Sequence, residues 1–252
     1  MTRGNVSVTP FRKGGFSGVC IGVPPSFIFE QTALFDAGKV RLCKQGAKLT
    51  AALTEACFIK NYFYACFLSR FRHLFRRSRA ESCLCSALAV LQAGVETPAP
   101  LGCFRERRVL LPVRDVLLTA ALPEKTRFMP ELFRDDPERG VRLAAAAAAK
   151  LHARGIEHGD LSLRNIYLDL EGKAGVIDLD GCRLHGAPLR RDLRIREMAR
   201  LISSASQIRS DTGTAKFREL FLDAYRAESG FDLDCPALDA RIGTLLNHRR
   251  RP

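Results

Sequence analysis

The segment from Asp136 to Gly181 constrains this chain more than any other, because it prescribes a helix, a polar loop and a hairpin in fixed order. Asp136 suits a helix N-cap, and Pro137 sits at the first helical position, where its missing N–H does no harm. From Val141 to Leu151 the text is nearly all Ala and Leu, residues of high helix propensity. Gly155 supplies the residue at which such a helix terminates. A polar run, Glu157–Asn165, follows. Then come two short apolar runs, Ile166–Leu170 and Gly175–Leu179, joined by a Gly-bearing turn. A polar loop held by rigid elements is where functional side chains are usually presented.

The loop reads His158-Gly159-Asp160-Leu161-Ser162-Leu163-Arg164-Asn165, and the second apolar run leads into Asp178-Leu179-Asp180-Gly181. Singly, Asp, Asn and Gly are ordinary turn formers. In this order they offer more. Phosphoryl transfer needs a carboxylate to orient and deprotonate the attacking hydroxyl, and oxygen ligands for Mg²⁺ on the nucleotide phosphates. Mg²⁺ takes a carboxylate and an amide oxygen, with waters and phosphates completing its shell. Asp160, Asn165 and Asp178 can supply these groups. Asp180 reads as a structural acceptor, and His158 as a buttress of the loop bonded to backbone.

The pattern HGDLxxxN followed by IDxD resembles the catalytic and metal-binding loops of the protein-kinase-like superfamily. Phe58-Ile59-Lys60-Asn61-Tyr62, the basic run to Arg76-Arg77-Ser78-Arg79-Ala80, the stretch from Ala93 to Pro100, and the stretch from Leu151 to Leu161 occur in that order. Together they are similar to the lipopolysaccharide core kinase family, which phosphorylates heptose or Kdo sugars of the inner core. The resemblance spans about residues 40–205. It implies a bilobal α+β fold: an N-lobe over 36–122, built from a small antiparallel sheet with one helix, and a mainly helical C-lobe over 123–252. Thr119–Glu124 would link the lobes, with ATP between them.

The resemblance also implies roles. Asp160 would be the base toward a sugar hydroxyl. Asn165 and Asp178 would ligate Mg²⁺ bridging the ATP phosphates. Lys60, on the third strand, would contact the α- and β-phosphates. Glu81 would pair with Lys60, although it stands about half a turn ahead of the expected place near Cys83 and Leu84. Gln45-Gly46-Ala47-Lys48 would be the phosphate-covering turn, with Gly46 its single glycine. The implied partners are the lipopolysaccharide core acceptor and ATP, with peripheral contact to the anionic inner membrane from the cytoplasmic side.

Forty Lys and Arg against 27 Asp and Glu give a net charge of +13, which favours anionic ligands. Arg70, Arg72, Arg76, Arg77 and Arg79 form one basic group, and Arg190, Arg191, Arg194, Arg196 and Arg200 a second. Arg249–Arg251 reads as a frayed tail. The charge argues against an aminoglycoside- or choline-type phosphotransferase, which shares the loops but carries an acidic pocket for cationic substrates. A RIO-type serine/threonine kinase and a kinase-like binding module without turnover stay open. Nucleic acid is a poor partner, because charge alone speaks for it and the chain has no Trp and only four Tyr.

No apolar run approaches the length of a membrane span, and Arg12, Lys13 and Pro24-Pro25 break up any signal sequence. A cytoplasmic protein is expected, its nine cysteines reduced and mostly buried. Residues 1–35 read as a weakly ordered arm. Val40–Cys43, Leu49–Leu53, Cys57–Tyr64, Val109–Leu111 and Val116–Ala121 read as strands. Ala80–Gln92, Asp192–Ser204, Thr214–Ser229 and Pro236–Asn247 read as helices.

Overall fold

Seven antiparallel strands form one sheet in the first half of the computed structural model, which describes residues 7–206, 208 and 214–249. The chain enters as a hairpin of β1 (Val8–Lys13) and β2 (Phe16–Ile21), followed by helix α1 (Pro25–Asp36). Strands β3 (Arg41–Lys44), β4 (Leu49–Leu53) and β5 (Cys57–Phe63) come next, then helices α2 (Phe67–Leu74) and α3 (Arg79–Gln92). Strands β6 (Pro100–Arg108) and β7 (Leu111–Ala120) complete the sheet, in the order β1-β2-β6-β7-β5-β4-β3.

Strand alternation splits the core of this sheet in two. Cys57 and Ile59 of β5 pack with Cys20, Ile28, Phe104 and Leu118. Tyr62 and Leu117 pack on the other face with Ala80, Cys83 and Leu84 of α3.

The segment expected as a weakly ordered arm is instead, from Val8 to Asp36, two strands and a helix. Its glycines hid it. Gly14 makes the hairpin turn at φ +55, and a Cβ on Gly18 would lie 2.1 Å from the Cys103 carbonyl oxygen. The close approach of β2 to β6 therefore requires glycine, and a glycine-rich strand shows no hydrophobic period. Phe11, Phe16 and Phe29 then cluster around Phe104. With α1 and α2, the sheet carries two helices beyond the one expected.

The strand expected at Val109–Leu111 is also displaced. Val109 and Leu110 form the tip between β6 and β7, and β6 runs back to Pro100. The charged end of β6 concealed it. Arg105 is buried there because Asp115 of β7 faces it across the ladder at 2.7 Å.

The chain divides into two units. The first runs to Leu88 and resumes over Pro98–Leu122, and the second holds Ala89–Thr97 and the chain from Pro123 onward. The second unit begins with β8 (Arg127–Phe128), α4 (Met129–Asp135) and α5 (Pro137–Ala153). Asp136 accepts from the Arg139 N–H at 3.1 Å and caps α5. Next are β9 (Ile156–Glu157), β10 (Ile166–Leu168), β11 (Ala174–Val176) and β12 (Arg183–Leu184). Helices α6 (Arg191–Ala205), α7 (Thr214–Ser229) and α8 (Pro236–Arg249) close the chain.

The alanines of α5 let α7 pack closely against it, with Phe133 and Phe217 rings 4.7 Å apart beside them. Arg250–Pro252 falls outside the described residues. All nine cysteines are free thiols; four of them are buried, while Cys43 and Cys66 are exposed.

Candidate active site

The loop after β9 is held by groups on three other elements. His158 is fully buried, and its Nε2–H donates to the Ile177 carbonyl oxygen at 3.0 Å. That carbonyl can only accept, so the other ring nitrogen, Nδ1, is left to accept from the Asp160 N–H at 3.4 Å. Burial pushes the His158 pKa down and keeps the ring neutral, which this pair of bonds requires.

Glu197 on α6 holds the loop from below. Its two carboxylate oxygens accept the N–H groups of His158 and Gly159, each at 2.8 Å. Burial raises the Glu197 pKa, but the neighbouring His152 ring, 3.5 Å away, and the loop N–H groups outweigh it and the net shift is downward. Gly159 has φ +84, and a Cβ there would stand 2.3 Å from the Gly181 carbonyl oxygen. Only glycine lets the loop lie against the turn at Leu179–Gly181.

These supports bring two expected site residues into contact. The Asn165 side-chain amide donates to the Asp160 carbonyl oxygen at 2.8 Å and to its carboxylate at 3.2 Å. The Ile177 N–H donates to the Asn165 carbonyl oxygen at 2.9 Å, which ties the loop to the end of β11. Asp178 is the next residue. It is exposed and adopts φ 63, ψ 58, a left-handed conformation that Asp tolerates better than most residues. The Asp160 side chain is 59% exposed and faces the Arg200 guanidinium at 3.1 Å. Arg200 also donates to the Gly159 carbonyl oxygen.

Among the described residues, no group of three His, Cys, Asp or Glu side chains could hold a metal by itself. One amide oxygen and one carboxylate are the donors of a Mg²⁺ ion that takes its other ligands from phosphates and water. Asn165 and Asp178 fit that chemistry.

The other expected residues lie in the first unit. Lys60 is half-buried in the middle of β5, paired across the ladder with Leu117, so it projects from the sheet face that α3 covers. Glu81 sits in the first turn of α3 and pairs with Arg77 at 3.2 Å. Gly46 lies in the exposed turn between β3 and β4. The chain passes from the first unit to the second at Leu88–Ala89, returns at Thr97–Pro98 and passes over again at Leu122–Pro123.

Glu197 and Arg200 were not singled out by the sequence as loop supports. The available signal was an acid among Ile195, Met198, Ala199 and Ile202, on the buried side of α6. The second arginine group is not one surface. Arg194 is buried, donating to Tyr225 at 2.8 Å. Arg196 pairs with Glu157, and Arg190 pairs with Asp192 at the surface.

A strand-rich first unit, followed by a helix, a loop and a hairpin in a helical second unit, makes this an α+β fold of the protein-kinase-like class. Solved structures share it. The structure described as WaaP in complex with acyl carrier protein superposes with a TM-score of 0.63 at 17% identity, over 88% of this chain and 97% of that one. A glucosamine kinase superposes with a TM-score of 0.50 at 15% identity, over 92% and 71%. The profile of the lipopolysaccharide kinase (Kdo/WaaP) family matches residues 58–225, and the chain belongs to that family. A 3-deoxy-D-manno-octulosonic acid kinase of Vibrio parahaemolyticus serotype O3:K6 (strain RIMD 2210633) is 31% identical over 98 residues. The match spans 38% of this chain and 40% of that relative's length.

Proposed function

We propose that the chain is an ATP-dependent kinase that phosphorylates a sugar hydroxyl of the lipopolysaccharide inner core. Family membership supports the kinase class and the lipopolysaccharide acceptor, and the Vibrio relative favours Kdo over heptose as the sugar. One observation carries the chemistry: the Asn165 side chain is bonded to Asp160, while its backbone carbonyl holds the strand end that presents Asp178.

Bound MgATP would supply the γ-phosphoryl group and the charge that neutralises it during transfer. The chain's own residues do the rest. Asp160 would receive the proton of the attacking sugar hydroxyl as that oxygen bonds to the γ-phosphorus and the bond from the γ-phosphorus to ADP breaks, with ADP leaving. Arg200 and the Asn165 amide hold the Asp160 carboxylate in place, each through a bond to one of its oxygens. Asn165 and Asp178 would hold the cation. Lys60 would meet the α- and β-phosphates, with Glu81 as its acid and the Gly46 turn offering backbone N–H groups to phosphate.

The experiment is ATP consumption with purified core oligosaccharides ending in Kdo or in heptose, followed by mass spectrometry of the acceptor. Phosphate added to the Kdo acceptor is expected. Phosphate on heptose alone would reassign the sugar, and no transfer to either would refute the acceptor class.

A further inference from the structure

Helix α2 is mounted with its apolar side outward. Phe67, Leu68, Phe71 and the adjoining Phe75 are 71%, 67%, 48% and 80% exposed, and no residue of α2 is buried. At about 100° per residue they share one stripe, with Ser69, His73 and Arg76 opposite. It is the polar side that fixes the helix to the sheet. The His73 ring stacks on Tyr64 at 4.2 Å, and Arg70 donates to the Tyr64 carbonyl oxygen at 2.9 Å. Arg105 catches the carbonyl oxygens of His73 and Arg76 at 3.0 and 3.1 Å. The aromatic rings form a continuous row, with centroids 6.4 Å apart for Phe67–Phe71 and 5.8 Å for Phe71–Phe75. A contiguous exposed apolar row of this kind marks an interaction surface.

A second exposed apolar element belongs to the same unit. The tip between β6 and β7 exposes Val109 by 99% and Leu110 by 73%. Val109 has φ 59, a conformation that a β-branched residue rarely adopts and that Asn or Gly would take with ease. Neither strain nor hydration favours Val-Leu at this tip, so folding alone does not account for it. Arg108 beside the tip and Arg70 of α2 line one open groove with Asp36 and Glu106, two acids already paired with Arg114.

Charge decides what covers this face. No acid occurs from Ala56 to Ala80, while Arg70, Arg72, Arg76, Arg77 and Arg79 share that stretch with the aromatics, Arg77 being paired with Glu81 just beyond it. A short helix with a marked apolar stripe, low mean hydropathy and arginine flanks is the pattern of an interfacial helix. Such a helix lays its apolar side at the headgroup–acyl boundary and its cations on anionic headgroups. A bilayer also accepts two separate apolar elements at once, without a matching cavity for each.

We infer that α2 and the Val109–Leu110 tip form an interfacial anchor that seats the first unit on an anionic lipid bilayer. This deepens the reading above, since it brings the protein to the surface where a lipid-anchored acceptor lies. It is read out by binding alone. Vesicle binding without turnover supports the anchor while refuting the activity, and turnover without vesicle binding refutes only the anchor.

The test uses the full chain with vesicles of phosphatidylcholine alone and of phosphatidylcholine mixed with phosphatidylglycerol. Binding to the mixed vesicles, weakened by salt, is expected. The triple variant Phe67→Ser, Phe71→Ser, Phe75→Ser should lose roughly tenfold or more of that partitioning, with an unchanged melting temperature. Should it fail to fold, Phe71→Trp stands in its place, because the chain has no other Trp. Its emission should shift to the blue on binding and be quenched by brominated acyl chains. Absence of binding at low ionic strength, equal binding by a folded triple variant, or unshifted emission in the bound state would overturn the anchor and leave this face to an acidic protein partner.

Discussion

At the scale of single residues, the candidate site separates chemistry from support. Asp160 is exposed, and its loop is shaped by bonds to backbone: the Asn165 amide on the Asp160 carbonyl, and Glu197 on two N–H groups. Asp160→Asn should therefore slow phosphoryl transfer by about 10²–10⁴-fold while leaving the melting temperature unchanged. A variant with the full rate would end its role as base. Asp178→Ala should abolish Mg²⁺-dependent nucleotide binding in calorimetry; binding equal to that of the parent would remove Asp178 from the cation. Gly159→Ala acts differently. It strains a residue at φ +84 and drives a Cβ against the Gly181 carbonyl, so it should cost about 1–3 kcal/mol of stability and lower activity with it. A normal melting curve would mean that the two turns are not packed as described.

At the scale of elements, one buried carboxylate ties α2 and α3 to the sheet. Asp115 takes two bonds from Arg105, at 2.7 and 3.1 Å, one from the Tyr64 hydroxyl, and the Arg79 N–H at the start of α3 at 2.9 Å. Arg105 in turn holds the end of α2. Burial raises the Asp115 pKa, but the bonds from Arg105 and Tyr64 outweigh it and bring it below the ordinary value of 3.8. A carboxylate depressed on folding stabilises fully above its unfolded value, and the contribution is lost as pH falls through the folded value. Asp115→Ala should thus destabilise by about 3–5 kcal/mol at neutral pH, since Arg105 stays buried without its partner. It should also flatten the dependence of stability on pH below about 4. Urea titrations at a series of pH values check both; an unchanged acid limb would remove Asp115 from the acid response.

At the scale of the whole molecule, the net charge of +13 is unevenly used. Several arginines are consumed internally, such as Arg105, Arg194 and Arg196, whereas Arg72, Arg76 and Arg77 are exposed on the first unit. Charge reversal of Arg76 and Arg77 should weaken binding of the anionic acceptor more than binding of ATP, an effect that shrinks as salt rises. Equal losses for both ligands would indicate damage to the fold. No helix among the described residues is long and apolar enough to cross a membrane.

What the sequence determined by itself is the run from α5 through the hairpin to α6. There, N-cap, alanine propensity, terminating glycine and turn residues act within a few positions of one another and agree. That is why the loop holding Asp160 and Asn165 is legible in the sequence alone. Only tertiary structure decided the rest. Gly18 is a strand residue because β6, far along the chain, passes too close for a side chain. Arg105 is a core residue because Asp115 lies opposite, and Glu197 supports the loop because α6 returns beneath it. A buried charge or a bare glycine takes its meaning from a partner distant in the chain, and local propensity holds no record of that partner.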